Sequence, residues 1–297
     1  MEQHHGLAER FEESRGHLRG VAYRMLGSLS EAEDAVQESW LRLSRSDPSE
    51  VENLGGWLTT VVARVSLDML RSRKSRREEP LDTPAPGPVV SPDARVDPEQ
   101  EALLADSVGL AMLVVLEKLA PTERLAFVLH DMFAVPFDEI AAIVGRSPTA
   151  ARQIASRARR RVRGSETPPA DLYRQREVVN AFLSAARAGD FDALLAVLDP
   201  DVVHRADRAM TPPHGMEARG ATHVAKGATA YSRKAGLTPQ PQPLLMLVDG
   251  AVGVAVAPLG RLIRVVTFTV VDRKITEMNV IADPTRLQEL DLALLDG

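Results

Sequence analysis

Residues 137–163, FDEIAAIVGRSPTAARQIASRARRRVR, decide how the first half of this chain folds. Phe137 to Val144 read as a short helix, and Gly145 ends it because glycine tolerates the left-handed conformation that a helix end favours. Ser147 can cap the next helix with its hydroxyl, and Pro148 suits that helix's first position. Ala151, Ile154, Ala155, Ala158 and Val162 then share an inward face, with polar and basic residues opposite. A short helix, a glycine turn and a capped basic helix predict a helix-turn-helix, whose second helix enters the major groove led by its N-terminal residues. Thr149, Arg152, Gln153, Ser156 and Arg157 would meet bases or phosphates there. Arginine can read guanine and glutamine adenine through paired hydrogen bonds, whereas the later arginines suit phosphates. Read alone, the segment also fits the solvated basic end of an ordinary helical hairpin.

Upstream, residues 99–164 are expected to be helical throughout, with Pro121 opening one helix. Residues 78–98 carry Pro80, Pro84, Pro86, Pro88, Pro92 and Pro98 and read as an extended linker. Residues 7–77 return to helical spacing through Phe11, Leu18, Val21, Ala22, Met25 and Leu26. A break falls at Ser28 to Ser30, where Ser30 and Glu33 fit a capping box. The helix that follows carries Ala35, Val36, Trp40, Leu41 and Leu43 and stops at Asp47–Pro48. A third begins near Gly55–Gly56. Downstream, Gly164 to Ala170 form a second boundary, and residues 172–297 read as α+β. An amphipathic helix covers 172–188, and strands are predicted at Leu244–Val248, Val252–Ala257, Leu262–Val271 and Ile275–Ile281. Asp249–Gly250 and Asp272–Arg273–Lys274 make the turns. Leu262–Val271 is apolar on both faces, which predicts a central strand.

Bulk properties narrow the class. The 297 residues imply two or three domains. With 36 Lys and Arg against 41 Asp and Glu, the net charge is −5, which argues against a protein that coats nucleic acid. Local basic faces remain, at 71–77 and 152–163, and a local face decides binding to a polyanion. The absence of cysteine excludes disulfides and thiolate metal sites and fits a reducing cytoplasm. No apolar run approaches the ~20 residues of a membrane span, and none resembles a signal peptide. A soluble cytoplasmic chain without cofactor or metal is expected.

Two further segments carry partner chemistry. Residues 28–43, SLSEAEDAVQESWLRL, set carboxylates beside an aromatic, which suits a basic partner helix, although composition alone would favour an acidic surface helix. Residues 55–77, GGWLTTVVARVSLDMLRSRKSRR, combine a WL…DxLR pattern with a run of cations that could track a single DNA strand. In this order the segments resemble region 2.2, the promoter-melting part of region 2, a loose linker and region 4 of extracytoplasmic-function (ECF) RNA polymerase sigma factors. The resemblance covers about residues 7–164.

It implies that Asp34, Gln37, Glu38 and Trp40 dock on the coiled coil of the polymerase β′ subunit, with the β subunit as a further partner in the core enzyme. It implies that Trp57, Arg64, Arg71, Arg73, Lys74 and Arg76 contact the −10 element of promoter DNA, although Arg64 stands where this family often has asparagine. Ser147, Thr149, Arg152, Gln153, Ser156, Arg157 and Arg160 would contact the −35 element. The two elements lie roughly 70 Å apart on the duplex, and about 25 extended linker residues reach roughly 80 Å.

Residues 172–297 resemble a SnoaL-like domain, a cone of curved sheet against helices. The match rests on REVVNAFLSAARAGDFDALLAVLDPDVV at 176–203 and on Gly220. The combination is that of sigma-J-like sigma factors, in which the fused domain regulates. Asp283–Pro284–Thr285–Arg286–Leu287 is similar to an NPDKL-like motif of that group, so Asp283, Pro284 and Leu287 are the expected regulatory contact. The fold class expected is therefore multidomain: two all-α sigma domains (7–77 and 99–164) followed by an α+β SnoaL-like cone (172–297). The expected function is promoter recognition without catalysis. The alternative is a DNA-binding regulator that does not dock on polymerase and senses an unknown small ligand in the cone. His204, Asp207 and His223 raise a third reading, an acid–base enzyme, but residues three apart on a strand face opposite ways.

Overall fold

The computed structural model describes residues 2–46, 53–78, 107–164, 169–210, 215–235 and 243–295. The proposed linker at 78–98 therefore falls almost wholly outside the described residues, as do Asp47–Pro48. The chain divides into two compact units, Met1–Ala105 with Leu119–Arg159, and Asp106–Lys118 with Arg160–Gly297.

In the first unit, α1 (Glu2–Leu26), α2 (Leu29–Arg45) and α3 (Leu54–Glu78) pack on one another. Leu18, Met25, Leu26, Leu43, Leu58 and Leu67 are fully buried, and each falls on the apolar face that helical spacing predicts. The caps differ from expectation. Gly27, at φ 71°, closes α1, and Ser28 rather than Ser30 caps α2, accepting from the Glu31 amide. Ser28 is extended, as a capping residue must be, whereas Ser30 already lies in the first turn. α3 starts at Leu54 because the Asn53 side chain accepts from the Gly56 amide at 3.0 Å.

The same unit contains α5 (Pro121–Phe127), a π-helical turn (Val128–Met132), α6 (Phe137–Val144) and most of α7 (Pro148–Arg163); the intervening α4 (Ser107–Glu117) belongs to the second unit. Gly145 adopts φ 67°, and Ser147 accepts from the Ala150 amide at 3.2 Å, so the turn and cap expected of a helix-turn-helix are present. Ala151, Ala155 and Ala158 are fully buried, Val162 nearly so, and Ile154 is half-buried. α5 and α6 both pack against α3. The buried Arg124 of α5 donates to the Met25 carbonyl at 2.8 Å, filling an acceptor that the end of α1 leaves open.

The second unit holds a seven-stranded sheet in the order β2-β1-β6-β5-β4-β3-β7. Its strands are β1 (Leu198–Ala206), β2 (Met216–Arg219), β3 (Pro243–Val248), β4 (Ala251–Val256), β5 (Arg264–Val271), β6 (Lys274–Ile281) and β7 (Leu292–Ala293). All neighbours are antiparallel except β1 and β6. β5 lies in the middle, as its apolar faces predicted. Three helices, α8 (Pro169–Ala188), α9 (Phe191–Val197) and α10 (Ala221–Ala235), cover the sheet, and their core joins Val179, Phe182, Leu194, Val224, Phe268 and Met278. A short α11 (Pro284–Glu289) follows β6. α4 packs on β3 and β7 of this sheet.

Candidate nucleic-acid interface and partner surfaces

On α2, Asp34 and Gln37 are exposed, and the half-exposed Glu38 pairs with Arg42 at 2.9 Å. Leu41 completes the strip at 38% exposure, one helical turn beyond Gln37 and Glu38. Trp40 points elsewhere: its half-buried ring packs on Phe11 with centroids 5.0 Å apart. The apolar residue on the exposed strip is therefore Leu41, which sequence reasoning had grouped with the core. Its spacing of seven from Asp34 was the available signal.

On α3, Trp57 is half-buried, and Arg64 and Arg71 are exposed on the same face. Arg64 donates to the Ala142 carbonyl at 3.3 Å, and Arg71 sits 3.9 Å from Asp68. Arg73 is different from its neighbours in the charge run. It donates to the Leu26 carbonyl and pairs with Glu31, so it braces the α1–α2 corner. The side chains of Lys74 and Arg76 lie outside the described residues.

On α7, Thr149, Arg152, Gln153, Ser156, Arg157 and Arg160 are all exposed, along the flank opposite the buried alanines. Ser147 is exposed too, with its hydroxyl already used as the cap. The later arginines are not equivalent. Arg159 pairs with Asp131 at 2.7 Å, and Arg161 donates to the Lys118 carbonyl at 3.2 Å.

In the second unit, Asp283 caps α11, accepting from the amides of Thr285 at 2.9 Å and Arg286 at 3.1 Å. Pro284 is exposed, and Leu287 is buried at 7% exposure. The loop leading into α11 is held by Asp207, whose carboxylate accepts from the amides of Ala282 at 2.7 Å and Asp283 at 2.8 Å. Burial works to raise the Asp207 pKa, but donation from the Asp283, Ala282 and Met210 amides and the charge of Arg286 hold it below the usual carboxylate range. At the other end of α11, Lys118 donates to the carbonyls of Leu287 and Gln288. Beyond it, the Leu294 amide donates to the carbonyl of Val162, in the last turn of α7, at 2.9 Å.

His204 lies on β1, its pKa lowered by burial and by His223. The Asp207 carboxylate accepts from the backbone amides of Ala282 and Asp283. A cleft of about 590 Å³ is lined by Leu195, Leu198, Arg219, His223, Lys226 and Lys274, among others. Among the described residues no three His, Asp or Glu are grouped to hold a metal ion, and no helix is long and apolar enough to cross a membrane.

The models of two families match the chain: Sigma-70 region 2 at residues 10–76 and Sigma-70 region 4 at residues 110–162. An ECF RNA polymerase sigma factor of Mycobacterium tuberculosis, SigJ, is 39% identical over 93% of this chain and 91% of its own length. A probable ECF RNA polymerase sigma factor of the same organism, SigI, is 34% identical over the whole of both chains. The crystal structure of M. tuberculosis SigJ aligns with a TM-score of 0.47 at 37% identity, covering 94% of this chain and 97% of that one.

Proposed function

The chain belongs to the ECF family of RNA polymerase sigma factors, and on that premise we propose how its surfaces divide the work. As a sigma factor it joins core polymerase and directs initiation at promoters. The strip Asp34, Gln37, Glu38 and Leu41 docks on the β′ coiled coil, with carboxylates flanking an apolar anchor. Trp57, Arg64 and Arg71 meet the melted −10 strand, joined by Lys74 and Arg76. Along α7, Thr149, Arg152, Gln153 and Ser156 read the −35 element, while Arg157 and Arg160 hold phosphates.

The sheet domain modulates these activities. The observation that carries this reading is that both ends of the region 4 match are built into the sheet unit: Lys118, after α4, holds the carbonyl end of α11, and Leu294 bonds Val162 in the last turn of α7. Asp283 and Pro284 shape α11, and Leu287 seats it. We read the sheet domain as non-catalytic, because Asp207 is committed to backbone amides. The basic cleft beside α10 is the place for a small ligand, should the domain respond to one. The chain works in the cytoplasm, where its polymerase is.

Run-off transcription with purified core polymerase on a promoter library tests the whole reading. Transcripts that depend on the added chain are expected. DNA binding without such transcripts would favour the alternative, a ligand-responsive regulator that does not dock on polymerase.

A further inference from the structure

A strained turn precedes the helix-turn-helix, and it touches one residue of α7 and one of α6. Val128–Met132 forms a π-helical turn, a rare element that concentrates at functional positions. Ala134 follows at φ 55°, a left-handed conformation that a residue with a Cβ rarely adopts. The Val135 amide closes the turn onto the Leu129 carbonyl at 2.9 Å. Two side chains of the turn then meet α7 or its neighbour. Asp131 pairs with Arg159 at 2.7 Å. His130 donates from Nδ1 to the Val135 carbonyl at 3.1 Å, which fixes its tautomer and its ring. That ring stacks on Phe137, with centroids 3.9 Å apart and planes 30° from parallel. The guanidinium carbon of Arg152 lies over the same Phe137 ring, 5.5 Å from its centroid. Arg152 and Arg159 are two helical turns apart, so the strained turn meets α7 directly at Arg159 and reaches Arg152 only through Phe137.

We propose that His130 and Phe137 form an aromatic platform that pre-positions Arg152 for reading a base of the −35 element, with Phe137 as the specificity-positioning residue. This rests on the reading of α7 as the −35 reader. Phe137 opens α6 and stays half-exposed, while Ile140, Ala141 and Ile143 supply that helix's buried face. The core of the motif therefore does not need an aromatic ring at 137. A guanidinium resting on a ring keeps all its N–H donors in its own plane, free for a bidentate contact. An exposed arginine without that rest would have to be ordered when DNA binds, which weakens discrimination between bases. Lysine could not substitute, because its ammonium lacks both the plane and the fork.

The test uses the full chain with core polymerase on promoters that vary only in the −35 element. Phe137→Leu keeps apolar volume and removes the ring. It is expected to lower the ratio of cognate to mismatched transcription about two- to fivefold, the range of an exposed cation–π contact, with the salt dependence unchanged. Phe137→Tyr restores the ring and should restore the ratio. In an Arg152→Ala background, Phe137→Leu should cause no further loss. The proposal is overturned if Phe137→Leu leaves the ratio intact while Arg152→Ala lowers it, or if the two losses simply add. It also falls if Arg152→Ala itself changes nothing, and in that case the failure lies in Arg152 as a reader rather than in the platform.

Discussion

The ammonium of Lys118 donates to the main-chain carbonyl of Gln288 at 2.9 Å, across 170 residues of sequence. It also donates to the carbonyl of Leu287, so one cation closes the end of a helix whose carbonyls have no partners within it. Burial lowers the pKa of Lys118, while Glu117, Asp249 and Asp291 favour its charge. Lys118→Met should leave both sigma regions folded and loosen α11, costing about 1 kcal/mol. Amide exchange at Leu287 to Ala293 should quicken, and promoter-dependent transcription should depart from the wild-type level. Unchanged exchange and unchanged transcription together would remove Lys118 from the regulatory contact.

Docking on polymerase is expected to follow the exposed strip of α2. Asp34→Ala, Gln37→Ala and Leu41→Ala combined should weaken binding of core polymerase at least about tenfold, the effect of losing an anchor worth ~1.4 kcal/mol or more. The helical circular dichroism should not change, because none of the three is buried. A Trp40→Ala change should instead destabilise the fold, since its ring packs on Phe11. Normal co-elution of the triple variant with core polymerase would show that α2 is not the docking helix.

Along α7, readers and positioners should separate. Gln153→Ala is expected to lose about 1–3 kcal/mol of discrimination at one base of the −35 element. Arg157→Ala and Arg160→Ala should weaken all sequences alike, each lowering the salt slope by about 0.9. Arg159→Ala belongs to neither group: its pairing with Asp131 predicts a loss of thermal stability first. Identical effects of Gln153→Ala and Arg160→Ala on a sequence panel would refute the division.

Acid should release the loop before α11. The Asp207 carboxyl is more acidic folded than unfolded. Its stabilising effect is therefore complete above the unfolded value of about 4 and is lost as pH falls through the lower folded value. Asp207→Asn is expected to cost about 1 kcal/mol at neutral pH, with the gap to wild type closing below about pH 4. Denaturant melts of the two proteins from pH 7 to pH 3 measure it, and a gap that stays constant would assign the cost to something other than the charge.

Much of this arrangement was legible in the sequence where the signal is local. The cap at Ser147, the left-handed Gly145 and the buried Ala151, Ala155 and Ala158 depend on neighbours within one or two turns. The four apolar strands from β3 to β6 announce themselves through hydrophobic runs and tight turns. β1 does not: Asp199, Pro200 and Asp201 follow its first residue, and it is stabilised by parallel pairing with β6, far along the chain. α10 was missed as well, since Gly227 and three threonine or serine residues dilute its pattern. The roles of Arg73 and Lys118 were illegible for the same reason as β1. A cation in a charge run looks alike whether it meets DNA or, as Arg73 does, a carbonyl 47 residues away.

The two ends of the sheet are protected by different means. β2 is a short outer strand carrying Glu217 and Arg219, charges that discourage another chain from pairing there. At the opposite end, β3 has the sequence PLLMLV and little charge to defend it. Its outer side is covered by α4 and by the two residues of β7, paired at Leu247–Ala293 and Val248–Leu292. The last few residues of the chain thus act as a selvedge, keeping an apolar, strand-forming segment from adding to its copy in a second molecule. A protein cut short before Leu292 would carry a self-templating edge into solution, and its loss of activity could be mistaken for lost regulation unless light scattering shows the sample to be monodisperse.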